Sequence, residues 1–210
     1  MNKCLRFATW LLTDREKTLK LARRPQGVTT RELIAAGIHS QVLSRLVEAG
    51  ELERVVRGVY RLPEQSVTEH HSLALVSAAV PQATVCLLSA LQFHGLGTQL
   101  PWEVWIALDR RARRPVLKFP PLRVFRFTGT ALTRGVESHR IEGQNVRVYS
   151  VAKSIADCFK YRNKIGLDVA LEALREAWRT RRLTMDELDR YARICRVERV
   201  MRPYLEMLVA

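Results

Sequence analysis

Five polar residues in one short segment have the chemistry needed to read the edges of DNA bases. They are His39, Ser40, Gln41, Ser44 and Arg45. In the major groove glutamine can pair with adenine and arginine with guanine, and short side chains allow a backbone to approach closely. Three arginines suited to phosphate oxygens follow them: Arg54, Arg57 and Arg61. Together the two sets predict a double-stranded DNA contact that combines base reading with backbone contacts.

Capping boxes predict two helices ahead of this segment. In each, a threonine oxygen accepts from a first-turn N–H while a glutamate three residues later accepts from the threonine N–H. Thr13 with Glu16 starts a helix over about 13–24, and Thr29 with Glu32 starts a shorter one. The shorter helix is predicted to end at Gly37, since glycine readily takes the left-handed conformation that closes a helix.

The next helix is predicted to carry the five polar residues. Ser40 stands where an N-cap is needed, and Gly50 follows the helix end. Leu43, Leu46 and Val47 recur at the i, i+3 and i+4 spacing of a buried stripe. This stripe leaves the polar residues on the outward face, as a recognition helix requires.

A basic hairpin is predicted after this helix. The β-branched and apolar segments 52–56 and 59–62 are separated by Arg57-Gly58, which is typical of a two-residue turn. Three helices followed by a basic hairpin are the outline of a winged helix-turn-helix. The alternative is a small structural helical hairpin with solvated arginines.

The charge of the chain favours a polyanionic partner. The 210 residues carry a formal net charge of +14, with a pI of about 10.4. Ten Lys or Arg residues lie between positions 110 and 147, against only Glu137 and Glu142. The second basic patch predicted from this run, for DNA or a partner, comprises Arg110, Arg111, Arg113, Arg114, Lys118, Arg123 and Arg126. An ordinary solvated face is the alternative for this patch.

The sequence does not support a membrane protein or a disulfide-rich secreted protein. No apolar run approaches the 18 or more residues that a membrane span requires, and the first twelve residues show no small-residue cleavage site, so a cytoplasmic protein is expected. The four cysteines are far apart and form no C-x-x-C pair: Cys4, Cys86, Cys158 and Cys195. They are expected to be reduced thiols, mostly buried.

A polar break at 63–66 divides the chain into a predicted winged helix-turn-helix domain, 1–64, and a second domain, 65–210. In the second domain, helices are predicted from Ser66 to about Val80 and over 83–94. Strands are predicted over 102–108, 123–127 and 146–149, and helices over 150–161, 167–178, 184–195 and 197–209. The predicted fold class is therefore α+β, with a small sheet and several helices in the larger C-terminal domain.

Catalytic patterns are weak in this sequence. Ser150-x-x-Lys153 matches a serine–lysine pair formally, but Ser150 stands where a helix cap is needed. No glutamate is followed two residues later by lysine, as a nuclease of that type would need, and the histidines His70, His71 and His94 form no H-E-x-x-H motif. No catalytic residue, cofactor site or metal site is predicted. Trp102 and Trp105 are expected to be core residues.

The order of motifs resembles the AbiEi-type antitoxins, transcriptional regulators of bacterial abortive-infection and toxin–antitoxin operons. The resemblance rests on RGVYRL, LLSALQFHGLG, WEVWIAL and VYSVAKSIADCFKYRNKIGLDVALEAL, and spans nearly the whole chain. It implies a repressor whose N-terminal winged helix binds inverted repeats in its own promoter. It also implies a C-terminal domain that adds DNA contacts and opposes a nucleotidyltransferase-like toxin encoded beside it.

Two other functions stay open at this point. One is a nucleic-acid-processing or toxin-modifying enzyme that the winged helix targets, for which an acidic residue such as Asp109 or Asp157 would be essential. The other is a ligand-responsive regulator whose second domain senses a small molecule.

Overall fold

The first part of the chain folds as three helices followed by a hairpin. The computed structural model describes residues 13–24, 27–63 and 69–209. The elements of this first part are α1 (Asp14–Ala22), β1 (Val28–Thr29), α2 (Thr30–Ala35), α3 (Gln41–Glu48), β2 (Glu53–Val56) and β3 (Val59–Arg61). We call these six elements the winged-helix segment.

Helices α1 and α2 begin where their capping boxes predicted because both caps form, although α1 ends at Ala22 rather than at about residue 24. In α1 the Thr13 hydroxyl accepts from the Glu16 N–H at 3.2 Å, and the Glu16 carboxylate accepts from the Thr13 N–H at 2.7 Å. The same pair of bonds joins Thr29 and Glu32 at the start of α2. Gly37 ends that helix with a φ of +75°, and the Ile38 N–H that follows donates to the Leu33 carbonyl.

A three-stranded sheet completes this segment, with strand order β1-β3-β2. The two-residue strand β1 was not predicted, because it is too short to show a period-2 pattern. It pairs antiparallel with β3, placing Val28 opposite Tyr60. The segment has its own apolar cluster of buried residues, to which α2 contributes Leu33 and α3 contributes Leu43 and Leu46. Val47, predicted as the third residue of the α3 stripe, packs against this cluster and is partly buried.

A five-stranded mixed sheet organises the rest of the chain. The remaining elements are α4 (His71–Ala79), β4 (Thr84–Val85), α5 (Leu87–Phe93), β5 (Val104–Asp109), β6 (Leu122–Phe127), α6 (Thr130–Thr133), β7 (Val136–Ile141), β8 (Gln144–Tyr149), α7 (Val151–Lys160), α8 (Arg162–Ile165), α9 (Leu167–Arg179), α10 (Met185–Cys195) and α11 (Glu198–Val209). The strand order is β6-β5-β4-β8-β7, with the β5–β6 and β4–β8 pairs parallel and the others antiparallel.

Side chains alternate between the two faces of this sheet. Trp105 and Ala107 of β5 belong to a large apolar cluster with α5, α7, α9 and α10. Ile106 and Leu108 belong to a second cluster, to which α4 contributes Leu73 and Val76. The predicted α+β fold class is confirmed by this arrangement. None of the helices within the described ranges is long and apolar enough to cross a bilayer.

Two predicted helices in this part of the chain need correction, and several short or edge elements were not predicted. The helix predicted over 83–94 covers only Leu87–Phe93, because Thr84 and Val85 pair with β5 on one side and Val85 pairs with β8 on the other. Strand β7 was missed, since it lies at a sheet edge and has no fully buried residue to show a period-2 pattern. The short helices α6 and α8 were also missed. The helix predicted from Ser66 begins at His71, and Ser66 itself lies outside the described residues, as does Cys4.

Candidate nucleic-acid interface

Helix α3 exposes one polar face to solvent. Its apolar face is fixed by Leu43 and Leu46, which are 1% and 3% exposed. The five residues predicted to read bases are all exposed on and just before the helix: His39, Ser40, Gln41, Ser44 and Arg45. Arg45 has no ion pair with another described residue, so its guanidinium is available to an external acceptor.

The start of α3 differs from the prediction in one bond. Ser40 occupies the N-cap position, but its hydroxyl makes no capping hydrogen bond, because its backbone is helical (φ −61°, ψ −22°) rather than extended. The preceding residue acts instead, since Nδ1 of His39 accepts from the Gln41 N–H at 3.3 Å. The Ser40 hydroxyl therefore remains exposed beside Gln41.

The hairpin of β2 and β3 presents two of its three arginines to solvent. Arg54 and Arg57 are exposed, and Arg57 lies at the turn beside Gly58, whose φ is +82°. The Gly58 carbonyl accepts from the Thr30 N–H at 3.0 Å, which fixes the turn against the start of α2. The hairpin therefore has a defined position beside the helices.

Arg61 occupies a different environment from the other two arginines. Its side chain is 19% exposed, its Nε donates to the Glu53 carboxylate, and its Nη1 lies 3.2 Å from Nε2 of His71. Of the three arginines predicted to contact phosphate, Arg61 is therefore already engaged inside the protein.

The loop between β5 and β6 carries a row of exposed cations. Arg110, Arg111, Arg113, Arg114 and Lys118 are exposed along it. We call these five residues the basic loop. Its start is shaped by Asp109, whose Oδ1 accepts from the Arg111 N–H at 2.8 Å.

Two predicted members of the second basic patch form contacts within the protein. Arg123 lies 4.6 Å above the Trp105 ring and 3.3 Å from the Glu103 carboxylate. Arg126 donates through Nη1 to the carbonyls of Asp109 and Ala112 at 2.9 and 2.8 Å. Arg126 therefore holds the start of the loop, and the five residues of the basic loop are the ones left to face a partner.

An apolar contact places the basic loop near the hairpin. Leu117, within the loop, packs against the cluster formed by Val59 of β3 and Leu75 of α4. Val55 of β2 packs against the same cluster. The loop and the hairpin are therefore neighbours, a relation that the sequence did not reveal because the two segments are about 60 residues apart.

The serine–lysine pair does not form a nucleophilic site. Lys153 is wholly buried, donates to the Asp157 carboxylate, and lies 4.1 Å from the centre of the Tyr149 ring. The prediction that Ser150 caps α7 is wrong in detail, since Ser150 occupies the N-cap position without making a side-chain cap bond. Both observations assign these residues to the packing of α7.

Asp157 is the centre of a buried polar cluster. The Cys195 thiol donates to Oδ1 of Asp157 at 3.1 Å, and Lys153 donates to Oδ2. Burial raises the pKa of the Asp157 carboxyl, and the charge of Lys153 opposes that rise. Burial also raises the pKa of Cys195 to about 12, so its thiol is neutral. A substrate has no access to this carboxylate.

His70 and His94 both contact other residues of the protein. His94 donates through Nε2 to the Tyr149 carbonyl at 2.8 Å, and burial lowers the pKa of its ring. His70 packs on Phe93 with ring centres 5.0 Å apart. Within the described ranges, no three His, Cys, Asp or Glu residues are placed to hold a metal ion.

The two tryptophans of the WEVWIAL strand have different environments. Trp105 is 4% exposed and stacks on Phe125, as the core prediction required. Trp102 is 80% exposed, so the prediction is wrong for that residue. It precedes β5, where the strand alternation that buries Trp105 has not yet begun.

One family model matches the segment that includes α3 and the hairpin. Residues 16–63 match the family described as "Transcriptional regulator, AbiEi antitoxin", which confirms the resemblance over that segment. The match spans α1 through β3 and includes the exposed face of α3 and the hairpin. Residues 16–63 are thus similar to a family of transcriptional regulators and antitoxins.

A solved structure is similar over most of the chain. The RV2827C protein from Mycobacterium tuberculosis superposes with a TM-score of 0.56 at 17% sequence identity, covering 86% of this chain and 72% of that one. At this identity the similarity concerns the fold alone. Among curated proteins, none matches the chain significantly.

Proposed function

We propose, on the premise of an AbiEi-type regulator segment over residues 16–63, that this protein is a sequence-specific DNA-binding repressor. The observation that carries the proposal is the polar face of α3, which is exposed and is followed in the sequence by the exposed hairpin arginines Arg54 and Arg57. A helix of this kind enters the major groove, where its first residues contact base edges. Gln41 and Arg45 are the proposed base-reading residues.

The hairpin and the basic loop would supply contacts to the DNA backbone. Arg54 and Arg57 are exposed on the hairpin, and the basic loop adjoins the hairpin through Leu117. Contacts to phosphate position a protein on the duplex without reading its sequence. Base reading and backbone attraction are therefore assigned to different elements of the chain.

The resemblance adds a biological setting to the proposal. In this setting the protein binds inverted repeats in its own promoter and acts as the antitoxin of a neighbouring nucleotidyltransferase-like toxin. The family described for residues 16–63 supports the pairing of a regulator with an antitoxin. We assign no residue to opposing the toxin, and direct contact between the two proteins forms no part of the proposal.

Arg57→Ala is expected to weaken binding to operator and random DNA equally. Arg57 is exposed at the hairpin turn, where we expect it to contact phosphate rather than base edges. Loss of one phosphate contact should reduce the slope of log affinity against log salt by about one unit. Titrations at several salt concentrations measure that slope.

Arg175→Ala is a matched control for Arg57→Ala. Arg175 is exposed on α9, which packs on the opposite face of the large sheet from α4. Arg175→Ala removes one positive charge, as Arg57→Ala does, but it should leave the slope of log affinity against log salt unchanged. If the salt slope of Arg57→Ala equals that of the wild type, the hairpin turn does not contact the DNA backbone.

Joint replacement of four basic-loop residues should lower affinity for any DNA sequence. Alanine at Arg110, Arg111, Arg113 and Arg114 removes four exposed charges beside the hairpin. If two to four of them contact phosphate, the salt slope should fall by about two to four units. Unaltered affinity would show that the basic loop does not contribute to DNA binding.

A further inference from the structure

A chain of three polar side chains links the hairpin to the large sheet. Arg61 of β3 lies 3.2 Å from Nε2 of His71, the first residue of α4. Nδ1 of the same ring lies 2.6 Å from the carboxylate of Glu142, in the turn between β7 and β8. The His71 and Glu142 side chains are 14% and 2% exposed. The contact therefore joins three elements that are distant in sequence.

The two partners of His71, Arg61 and Glu142, determine which form of its ring can bond to both of them. A guanidinium has only N–H donors, so Nε2 of His71 must be the acceptor for Arg61. The ring hydrogen is then on Nδ1, which donates to the Glu142 carboxylate. A doubly protonated ring would present an N–H to the Arg61 guanidinium and place two positive groups in contact. The bridge from Arg61 to Glu142 therefore requires neutral His71.

The backbone at Glu142 supports a functional role for its carboxylate. Ile141 pairs with Gln144, so Glu142 and Gly143 form a two-residue turn with φ values of +47° and +74°. Such turns favour Asn-Gly, and a left-handed conformation costs about 1 kcal/mol or more for a residue such as glutamate. An outlier of this kind is typical of positions that a specific contact maintains. Here the conformation brings a buried carboxylate to His71.

We propose that His71 and Glu142 are positioning residues that hold the hairpin in its DNA-binding orientation, and that protonation of His71 releases Arg61 and weakens DNA binding. The inference rests on the proposed function, because the hairpin is its DNA-contacting element. Arg61 is bonded to Glu53 across the hairpin, so a change at His71 acts on both strands.

The charged groups around His71 determine which of its two bonds is lost when the ring is protonated. Among described residues, Arg61 faces the ring from β3 and Glu142 faces it from the β7–β8 turn, while Glu53 of β2 lies beyond Arg61. His70, which immediately precedes α4, packs on Phe93. Protonation keeps the bond to Glu142 and breaks the bond to Arg61. The hairpin is thus the element that acidification releases.

The pH dependence of DNA affinity tests this inference with two variants. His71→Gln provides an acceptor for Arg61 and a donor for Glu142 that do not titrate, whereas His71→Ala provides neither. Histidine changes charge between about pH 5 and pH 8, so we would measure affinity for the upstream DNA at both ends of that range.

The wild type is expected to lose affinity relative to His71→Gln by about fivefold at acid pH, as for one lost hydrogen bond. His71→Ala should bind the upstream DNA more weakly than His71→Gln at both pH values. A wild-type to His71→Gln ratio that is independent of pH, or that favours the wild type in acid, would overturn the inference.

Glu142→Asn separates positioning from stability. Asparagine suits the left-handed turn better than glutamate, so the turn itself should become more stable. Its side chain is too short to replace the Glu142 carboxylate at His71, so DNA affinity should fall by about fivefold. A variant that retains full affinity would contradict the assigned role.

Hydrogen exchange of the hairpin tests the bridge without DNA. At neutral pH, amides of residues 53–61 should exchange about fivefold faster in His71→Ala and Glu142→Asn than in the wild type and His71→Gln. If the protein shows no DNA preference but the exchange rates change in this way, the proposed function fails and the bridge stands. Equal exchange in all four proteins would refute the bridge itself.

Discussion

Alanine at both Gln41 and Arg45 is expected to remove most of the preference for operator DNA over random DNA. Both side chains are exposed on the polar face of α3, ahead of the buried Leu46. A glutamine–adenine or arginine–guanine contact contributes about 1–3 kcal/mol of discrimination, so the pair should change the preference by about thirtyfold to about ten-thousandfold. Competition titrations of operator against random DNA measure this ratio.

Glu48→Ala serves as the control for this pair. Glu48 is exposed at the last turn of the same helix, away from the end that enters the groove. The preference of this variant should match that of the wild type. An equal loss of affinity on operator and random DNA in the Gln41 and Arg45 variant would show that α3 does not read bases.

Lys153→Ala is expected to destabilise the folded protein strongly. The ammonium of Lys153 and the carboxylate of Asp157 are both fully buried, and each is the charged partner of the other. Removing one member of such a pair leaves an uncompensated buried charge and costs about 3–5 kcal/mol. Urea unfolding, with an unchanged m value, measures the difference in free energy.

Two further variants show whether burial of the charge causes that loss. Arg193 and Asp189 on α10 form an ion pair at the same i,i+4 spacing, but both side chains are largely exposed, so Arg193→Ala should change stability little. Lys153→Met combined with Asp157→Leu removes both charges and should recover much of the lost stability. A mild effect of Lys153→Ala alone would mean that the Asp157 carboxyl is readily accommodated as a neutral group.

Local chemistry was enough to predict the helices of the winged-helix segment. The caps at Thr13 and Thr29 need only residues three positions apart, and Gly37 ends α2 by its own backbone freedom. The exposed face of α3 follows from the spacing of Leu43 and Leu46. These features depend on neighbours in sequence, so they could be predicted without the fold.

Features that depend on distant partners could not be predicted in this way. Thr84 and Val85 resemble the start of a helix locally, and only the strands on either side make them a strand. Arg61 looks the same as Arg57 in the sequence, although its side chain is held by Glu53 and His71. The buried state of Lys153 and Asp157 likewise results from the packing of α7 against its neighbours.

The candidate interface shows the same division. The base-reading residues follow from the pattern of one helix, whereas the basic loop becomes relevant to the hairpin only through the contact of Leu117 with the cluster of Val59 and Leu75. Charge alone could not separate Arg126, which holds the loop through two backbone carbonyls, from the equally exposed Arg113 and Arg114. Hydrogen bonding makes that distinction.

Recognition of a DNA sequence upstream of its own gene is the central property proposed for this protein. The most direct test is a titration of the purified protein against that upstream region and against a scrambled control, at two salt concentrations. Sequence-specific recognition predicts a preference of about a hundredfold or more for the upstream DNA, retained at the higher salt. Equal binding to both DNAs that falls steeply with salt would contradict the proposal. It would mean that the positive charge of the chain gives only sequence-independent binding to polyanions.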